Sequence, residues 1–553
     1  MWIMEPWLPR YPDPFGYISA AAFFSGTNWS SLTRQLTGYY GFGYGLLLAP
    51  LFYLSSNYLM FSKMAIVLNA LFLVLTYWIM IDITRRVFRE LGEFSCCLIP
   101  FIAVLFPAYL YEINTIIPEL FSVLCFAGSI WLVLNVEERV KPVISLLSFS
   151  VIVGLSPMIH GRNVALWISG IIVVNLFLYK KRISVMAGIC CIIVLFVLMG
   201  CYYLTSRYVR LELYSSDPIQ NTAETLLEGA SNYFNLQAVR NYIWSLTTQF
   251  WYMGTSTLLI SFLGMYYLIR LAANRSAFRL FHLYIAFSGS GIMLISAYVF
   301  TNPRRLDQVI FGRHNEMVLS IFLLYGLAYL AKDEINMRRT VTVIILLFCV
   351  CALATHRRIN GVEYLSSIPR SITGVSLLYE PLLDNPEVIL LSSILEIIAA
   401  TLLVILLNIK GKTRFMAMKV VYVMVTVFFI ITSVHATKRE KRYNDTERVQ
   451  FWALEEIIES YPSSRLVVIK DGTFNTSASF LYITQIIGYK KPVECMTIQE
   501  IETTFLQDEI CDCVFFSNDE NHRALFSRSL LFDGFCEYAT EKQQMFIWHA
   551  HKD

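Results

Sequence analysis

Long apolar runs, broken at short intervals by small clusters of charge, fill residues 61–436. A helix needs about 20 apolar residues to cross the ~30 Å hydrocarbon core of a bilayer. On that length the pattern predicts about twelve spans, at 61–82, 94–110, 115–136, 143–159, 164–179, 184–204, 247–270, 280–300, 316–331, 340–356, 388–408 and 420–436. The pattern changes from residue 437 onward. "ERVQFWALEEIIESY" repeats its apolar positions at helical spacing, and "RLVVIKD" and "CDCVFFS" are short apolar runs of strand length. "ASFLYITQIIG" between them reads as a helix and "QMFIWHA" as a last strand. This alternation predicts a small α/β domain with a partly parallel sheet. Before the first run, residues 1–60 mix proline, aromatic and polar positions and read as a loop able to form a short amphipathic helix. The expected division is therefore 1–60, 61–436 and 437–553.

Composition agrees with a polytopic α-helical membrane protein: 56% of residues are hydrophobic and 15% charged, against about 25% charged in soluble domains. A net charge of +3 suggests no nucleic-acid partner. The charged connections alternate. "TRRVFRE", "EERVK", "LYKKR", "IRLAANRSAFR", "AKDEINMRR" and "IKGKTR" fall at every second connection, which the positive-inside bias assigns to the cytoplasm. Asp13, the 205–246, 301–315 and 357–387 loops and the tail then face outward. Up to residue 436 the lysines obey this rule, with Lys63 the exception outside. The outer segments nevertheless carry twelve arginines, among them Arg162, Arg304, Arg305 and Arg313. Arginine presents a planar fork that binds phosphate oxygens bidentately. Any one of them reads as a headgroup contact or an ion pair; the set favours an anionic ligand. Twelve spans put both ends outside, so a further span preceding Met1 is expected.

Three acids stand out. Asp13 lies between two prolines in "YPDPF", and taken alone that segment reads as a turn or helix cap. Glu112 and Glu119 are seven residues apart and share a face if one helix carries both. Glu119 has apolar neighbours on both sides, a costly place for a carboxylate at a membrane surface; either acid can support an acceptor, bind a metal or pair with Arg162. Glu396 is a further acid inside an apolar run and carries no assignment. Most cysteines lie in apolar segments as small hydrophobes, and Cys511 and Cys513 read as incidental strand residues ahead of a metal or disulfide pair. No spacing suggests a zinc site.

The order of these segments resembles the GT-C type integral-membrane glycosyltransferases, nearest to the protein O-mannosyltransferases and the lipid A aminoarabinose transferase (glycosyltransferase family 39). "YPDPFGYISAAAFFSG" is similar to that family's acidic first-loop stretch, which leads into juxtamembrane helices. "YYGFGYGLLLAPLFYLSS" resembles its aromatic-proline segment, and "YEINTIIPELFSVL" and "GLSPMIHGRNVALWI" resemble later motifs. "VIFGRHNEMVLSIFLLYG" is similar to its outer "GRY" motif, with His314 where tyrosine is usual. The resemblance implies transfer of a sugar from a polyprenyl-phosphate donor to a lipid, protein or cell-wall acceptor. It places this at the outer face of what reads as a bacterial cytoplasmic membrane, with the tail domain extracytoplasmic. It implies Asp13 as the catalytic base or orienting acid, supported by Glu119 and Glu112. Arg162, Arg304, Arg305 and Arg313 with His160 would hold the donor phosphate, and Tyr17, Tyr40 and His314 would line the groove. No obligatory cofactor is expected; a divalent metal is left open. The rivals are an outer-face polysaccharide polymerase or ligase, a lipid-linked saccharide transporter and a non-catalytic scaffold.

Overall fold

The computed structural model describes residues 6–9, 11–36, 40–214, 236–274, 278–303, 305–332, 337–360, 368–407, 412–461, 463–469, 478–506, 512–517, 533–539 and 544–551. Helices dominate, and their starts follow from local chemistry. Pro12 opens Pro12–Phe24, Pro107 opens Pro107–Glu112 and Pro142 opens Pro142–Ile159. A first-turn proline loses no hydrogen bond, because that N–H has no intrahelical partner. Asn57 and Ser184 cap the next long helices, accepting from Met60 N at 2.9 Å and Ala187 N at 3.2 Å.

Among the described residues nine helices are long and apolar enough to cross a membrane. The predicted 247–270 span is not one of them as a single helix. It is divided into Leu236–Ser256 and Ile260–Ala273, bent by 111°. Leu258 and Leu259 hold φ of +51° and +61° at the break, and Leu259 N reaches back to Gly254 O at 2.8 Å, which closes the first helix. The predicted 94–110 span is likewise shorter, with Glu93–Val104 ending before Pro107 begins a new turn.

The Arg313–Ala331 helix is the centre of the bundle, with nearly every side chain buried. Glycine permits the packing on one side. A Cβ on Gly264 would sit 1.8 Å from Phe322 O, and one on Gly326 would sit 2.1 Å from Ile260 O. The helix Ile260–Ala273 therefore lies backbone to backbone against the central helix, as small residues allow in membranes.

The two ends of the bundle differ in charge. At one end the predicted cytoplasmic connections meet. Arg86 pairs with Glu138 at 2.5 Å and Asp82 at 2.9 Å, and Lys332 pairs with Glu90 at 2.5 Å. At the other end lie the first-loop helices Pro12–Phe24, Ser30–Leu36 and Gly43–Leu54, the starts of Glu119–Glu137 and Arg313–Ala331, and the 3-10 segment Pro369–Leu378.

The tail domain builds a five-stranded sheet from β1 (Arg465–Ile469), β2 (Val493–Met496), β3 (Asp512–Ser517), β4 (Asp533–Ala539) and β5 (Gln544–His551), in the order β2-β1-β3-β5-β4. β1 runs parallel to β2 and β3, while β5 is antiparallel to β3 and β4. Ala478–Gly488 supplies the expected helix. Cys513 is buried with Val467, Ile469 and Phe515, and Cys511 lies outside the described residues. One helix, Lys412–Ser460, runs from the bundle into this domain, so residue 437 lies inside a continuous helix. The domain docks on the first-loop helices. Trp29 Nε1 donates to Tyr489 O at 3.1 Å, Tyr489 donates to Phe52 O at 3.0 Å, and Phe15 packs on Tyr482 with ring centroids 4.7 Å apart.

Candidate functional site

Five segments distant in sequence bring charge together at the N-terminal end of the central helix. Asp13 comes from the first turn of Pro12–Phe24, and Glu119 opens its own helix after Pro118. Arg162 sits in the short Gly161–Asn163 turn between two spans, Arg313 opens the central helix, and Arg370 comes from Pro369–Leu378. Arg313 is the hub. Its Nη1 donates to Asp13 Oδ2 at 2.5 Å and its Nε to Glu119 Oε1 at 2.6 Å. Arg370 Nη2 approaches the same Asp13 oxygen at 2.8 Å, and its guanidinium covers the Tyr11 ring at 4.4 Å. Asp13 therefore does not act as a cap for its helix. Burial works to raise its pKa, but Arg370 and Arg313 outweigh burial and hold it well below the usual carboxylate range. Its place in the first turn of a helix favours the same charge.

Arg162 is 2% exposed. Its carboxylate neighbour within ion-pair range is Glu119, with Nη2 3.8 Å from Oε1. None of its three guanidinium nitrogens has a hydrogen-bond partner among the described residues. A buried guanidinium without partners is expensive unless a ligand completes it. His160, just before it, accepts from Arg162 N at 3.4 Å through Nδ1, so the neutral ring carries its proton on Nε2. Burial first, and then Arg162 and Arg313, hold the His160 pKa well below its ordinary value. His160 meets His314 edge to face with centroids 5.3 Å apart, and His314 also packs on Phe300 and Phe311.

Glu112 and Glu119 do not share a helix, because Glu112 ends Pro107–Glu112 and Pro118 separates the two. Both are still buried near the cluster. Burial, then the charges of Glu316 and Glu119, push the Glu112 carboxyl well above its usual pKa, so its surroundings favour the protonated form. Tyr17 is buried beside Asp13 and Tyr44, with its hydroxyl 3.5 Å from Tyr40 O. Burial and then Glu119 keep that phenol protonated. Arg305 is placed differently: it forms two bonds to Asp307, at 3.0 and 3.1 Å, and Asp307 also accepts from Ile368 N. Arg304 lies outside the described residues. Among the described residues no group of three or more His, Cys, Asp or Glu side chains is arranged to hold a metal ion.

Two participants were not singled out from the sequence. Arg370 is one of the twelve arginines that the charge pattern assigns to outer segments and has no local motif to mark it. Glu316, in "GRHNEMVLS", reads as an ordinary first-turn acid. In the fold its Oε1 accepts from the Tyr252 hydroxyl, and that hydroxyl accepts from Gly374 N at 3.0 Å. Glu316 thereby ties the central helix to the segment that carries Arg370.

No family model and no curated protein sequence matches this chain. Solved structures do. ArnT from Cupriavidus metallidurans bound to undecaprenyl phosphate is 11% identical, covering 99% of this chain and 94% of its own, with a TM-score of 0.52. The apo state of the same protein gives 0.51, with 11% identity over 99% and 95% of the two chains. The archaeal oligosaccharyltransferase AglB from Archaeoglobus fulgidus is 10% identical over 99% of this chain and 71% of its own, with a TM-score of 0.41. The likeness to ArnT extends over essentially the whole chain, helical bundle and tail domain together, and this protein has the GT-C glycosyltransferase fold.

Proposed function

We propose that the protein transfers a sugar from a polyprenyl-phosphate donor to a hydroxyl of an acceptor on the outer face of the membrane. The observation that carries this reading is Arg162, a buried guanidinium with no hydrogen-bond partner among the described residues, set beside an arginine already committed to two carboxylates. A donor phosphate supplies what Arg162 lacks. It also bears the charge that grows on the leaving group as the glycosidic bond breaks, which a fixed cation stabilises. His160, neutral with its proton on Nε2, donates to a phosphate oxygen. ArnT, the fold neighbour, has been seen with undecaprenyl phosphate, which supports a lipid-linked phosphate here.

Asp13 works as an anion. Two arginines keep it ionised, so it accepts the hydrogen bond of the acceptor hydroxyl and aligns that oxygen on the anomeric carbon. As bond formation makes the hydroxyl acidic, the proton passes to Asp13 late. Glu119 holds Arg313 and Arg162 in place, and Glu112 is a further buried carboxyl group whose surroundings favour its protonated form. A transporter reading gains no such support, because its hallmark is charge at the midplane and this cluster lies at helix ends.

The test is transfer from a labelled undecaprenyl-phosphate sugar pool in membranes, wild type against Asp13→Asn. Transfer at least a hundredfold slower in the variant, about 2.7 kcal/mol of barrier, is the expected result for a group acting on the nucleophile. Equal rates in the two proteins would remove Asp13 from the chemistry, and no donor consumption by either would contradict the proposed reaction.

A further inference from the structure

The helix that carries Asp13 is gripped by the tail domain two residues beyond the carboxylate. Phe15 is fully buried. Its ring meets Tyr482, on the tail helix Ala478–Gly488, with centroids 4.7 Å apart, and stacks on Trp29 at 5.8 Å with the planes 19° apart. Trp29 is itself tied to the tail, because its Nε1 bonds Tyr489 O. Phe52 closes the box, 5.6 Å from Trp29 and 4.4 Å from Tyr489. Two further bonds fix the same seam. Ser31 Oγ donates to Val493 O at 2.6 Å, and Lys490 Nζ donates to Tyr53 O at 3.0 Å.

A close-packed set of rings has little freedom to shift. Asp13 and Phe15 belong to the opening turn of one helix, Pro12–Phe24, so the carboxylate and the gripped ring move together. Asp13 must meet two guanidiniums from different segments, Arg313 of the central helix and Arg370 of Pro369–Leu378. A tilt of the helix start would bring it towards one and away from the other. Tyr482 is 1% exposed, so its ring packs and does not reach a substrate. Burial first, and then the Asp13 charge, raise its phenol above the ordinary pKa, while Arg370 acts the other way. The tail helix thus lies within electrostatic reach of the charge cluster.

We propose that Tyr482 is a positioning residue for Asp13, through its ring on Phe15, and that the tail domain thereby sets the alignment of the reacting acid. The residues that would hold the donor phosphate, Arg162 and His160, lie in and beside the Gly161–Asn163 turn of the bundle and do not depend on this grip. Loosening the grip therefore leaves donor binding intact and misaligns Asp13, which lowers the rate of the chemical step. The effect on turnover rests on the glycosyltransferase reading. The hold on the helix stands on the packing alone.

The experiment reads both. Labelled-donor transfer and amide hydrogen exchange are measured on the full chain in lipid nanodiscs, for wild type, Tyr482→Ala and Tyr482→Phe, and for each combined with Asp13→Asn. Tyr482→Ala is expected to lower kcat about tenfold with donor KM little changed. Tyr482→Phe keeps the ring and is expected to return kcat to within about threefold of wild type. In the Asp13→Asn background Tyr482→Ala should cost less than about twofold more, because two residues that act through one group are not additive. A residue that only stabilised the fold would give the same proportional loss in both backgrounds. Amides within 13–24 should exchange about tenfold faster in Tyr482→Ala and at the wild-type rate in Tyr482→Phe. Tyr482→Leu, which keeps apolar bulk without the ring, takes the place of Tyr482→Ala should that variant not fold. Equal proportional losses in the two backgrounds, an unchanged kcat, or unchanged exchange in the folded variant would each overturn the inference. If wild type consumes no donor, the proposed reaction is contradicted and the exchange alone decides the positioning: faster exchange supports it and unchanged exchange overturns it.

Discussion

At the scale of the residue, Asp13 and Glu112 show how two carboxyl groups near one centre take opposite roles. Asp13 touches two guanidiniums, and its pKa falls. Its stabilising contribution is present above its unfolded value near 4 and is lost only as pH falls below that. Asp13 therefore adds no inflection between pH 5 and 9. Glu112 is raised by burial and by like charges, so the sign reverses. Its contribution is complete below about pH 4 and is lost as pH rises towards its folded value. Glu112→Gln mimics the neutral acid and is expected to keep transfer within about threefold of wild type. It should also flatten the fall in detergent melting temperature between pH 5 and 9. A melting profile unchanged in shape, or a hundredfold loss of transfer, would show that Glu112 works as an anion. The sequence marked Glu119, Arg162 and Arg313 as unusual, because an acid among apolar residues and an arginine in a connection assigned to the outer side each run against a general bias, while Asp13 stood out through the family resemblance. It could not mark Arg370 or Glu316. Their importance comes from which segments the fold brings together, and no local pattern encodes that.

At the scale of the element, hydropathy saw helices but not their breaks. The 247–270 run has no proline, and its break follows the small polar stretch Gly254–Thr257 and rests on two left-handed leucines. The helix Pro12–Phe24 and strands β1, β3 and β5 follow from ordinary start signals and periodicity. β2 and β4 were not predicted, because "VECM" is too short and "DGFCEYA" too mixed to stand out. The break has a use. It places Tyr252 at the end of its helix, where the hydroxyl links Glu316 to Gly374. Tyr252→Phe removes that link without changing the packing. It is expected to lower kcat for transfer roughly tenfold by loosening Arg370, with donor KM little changed. A rise in KM with kcat intact would instead assign the tyrosine to donor binding.

At the scale of the molecule, the charge cluster, the first-loop helices and the tail domain lie at one end of the bundle, and the basic connections lie at the other. That division is what the alternating lysines predict. Alkaline phosphatase fused after Asp553 should be active in a bacterial host and a fluorescent protein fused there dark; the reverse would put the tail inside. The central claim is that the cluster around Arg313 is built to receive a lipid-linked phosphate, with Arg162 waiting for it. The most direct measurement is the affinity of purified protein for undecaprenyl phosphate and for undecaprenol, in wild type and Arg162→Gln. The account predicts that wild type prefers the phosphate by at least tenfold, or about 1.4 kcal/mol, and that Arg162→Gln abolishes the preference while leaving undecaprenol binding alone. Equal affinity for the two lipids, or a phosphate preference that survives the substitution, would contradict it.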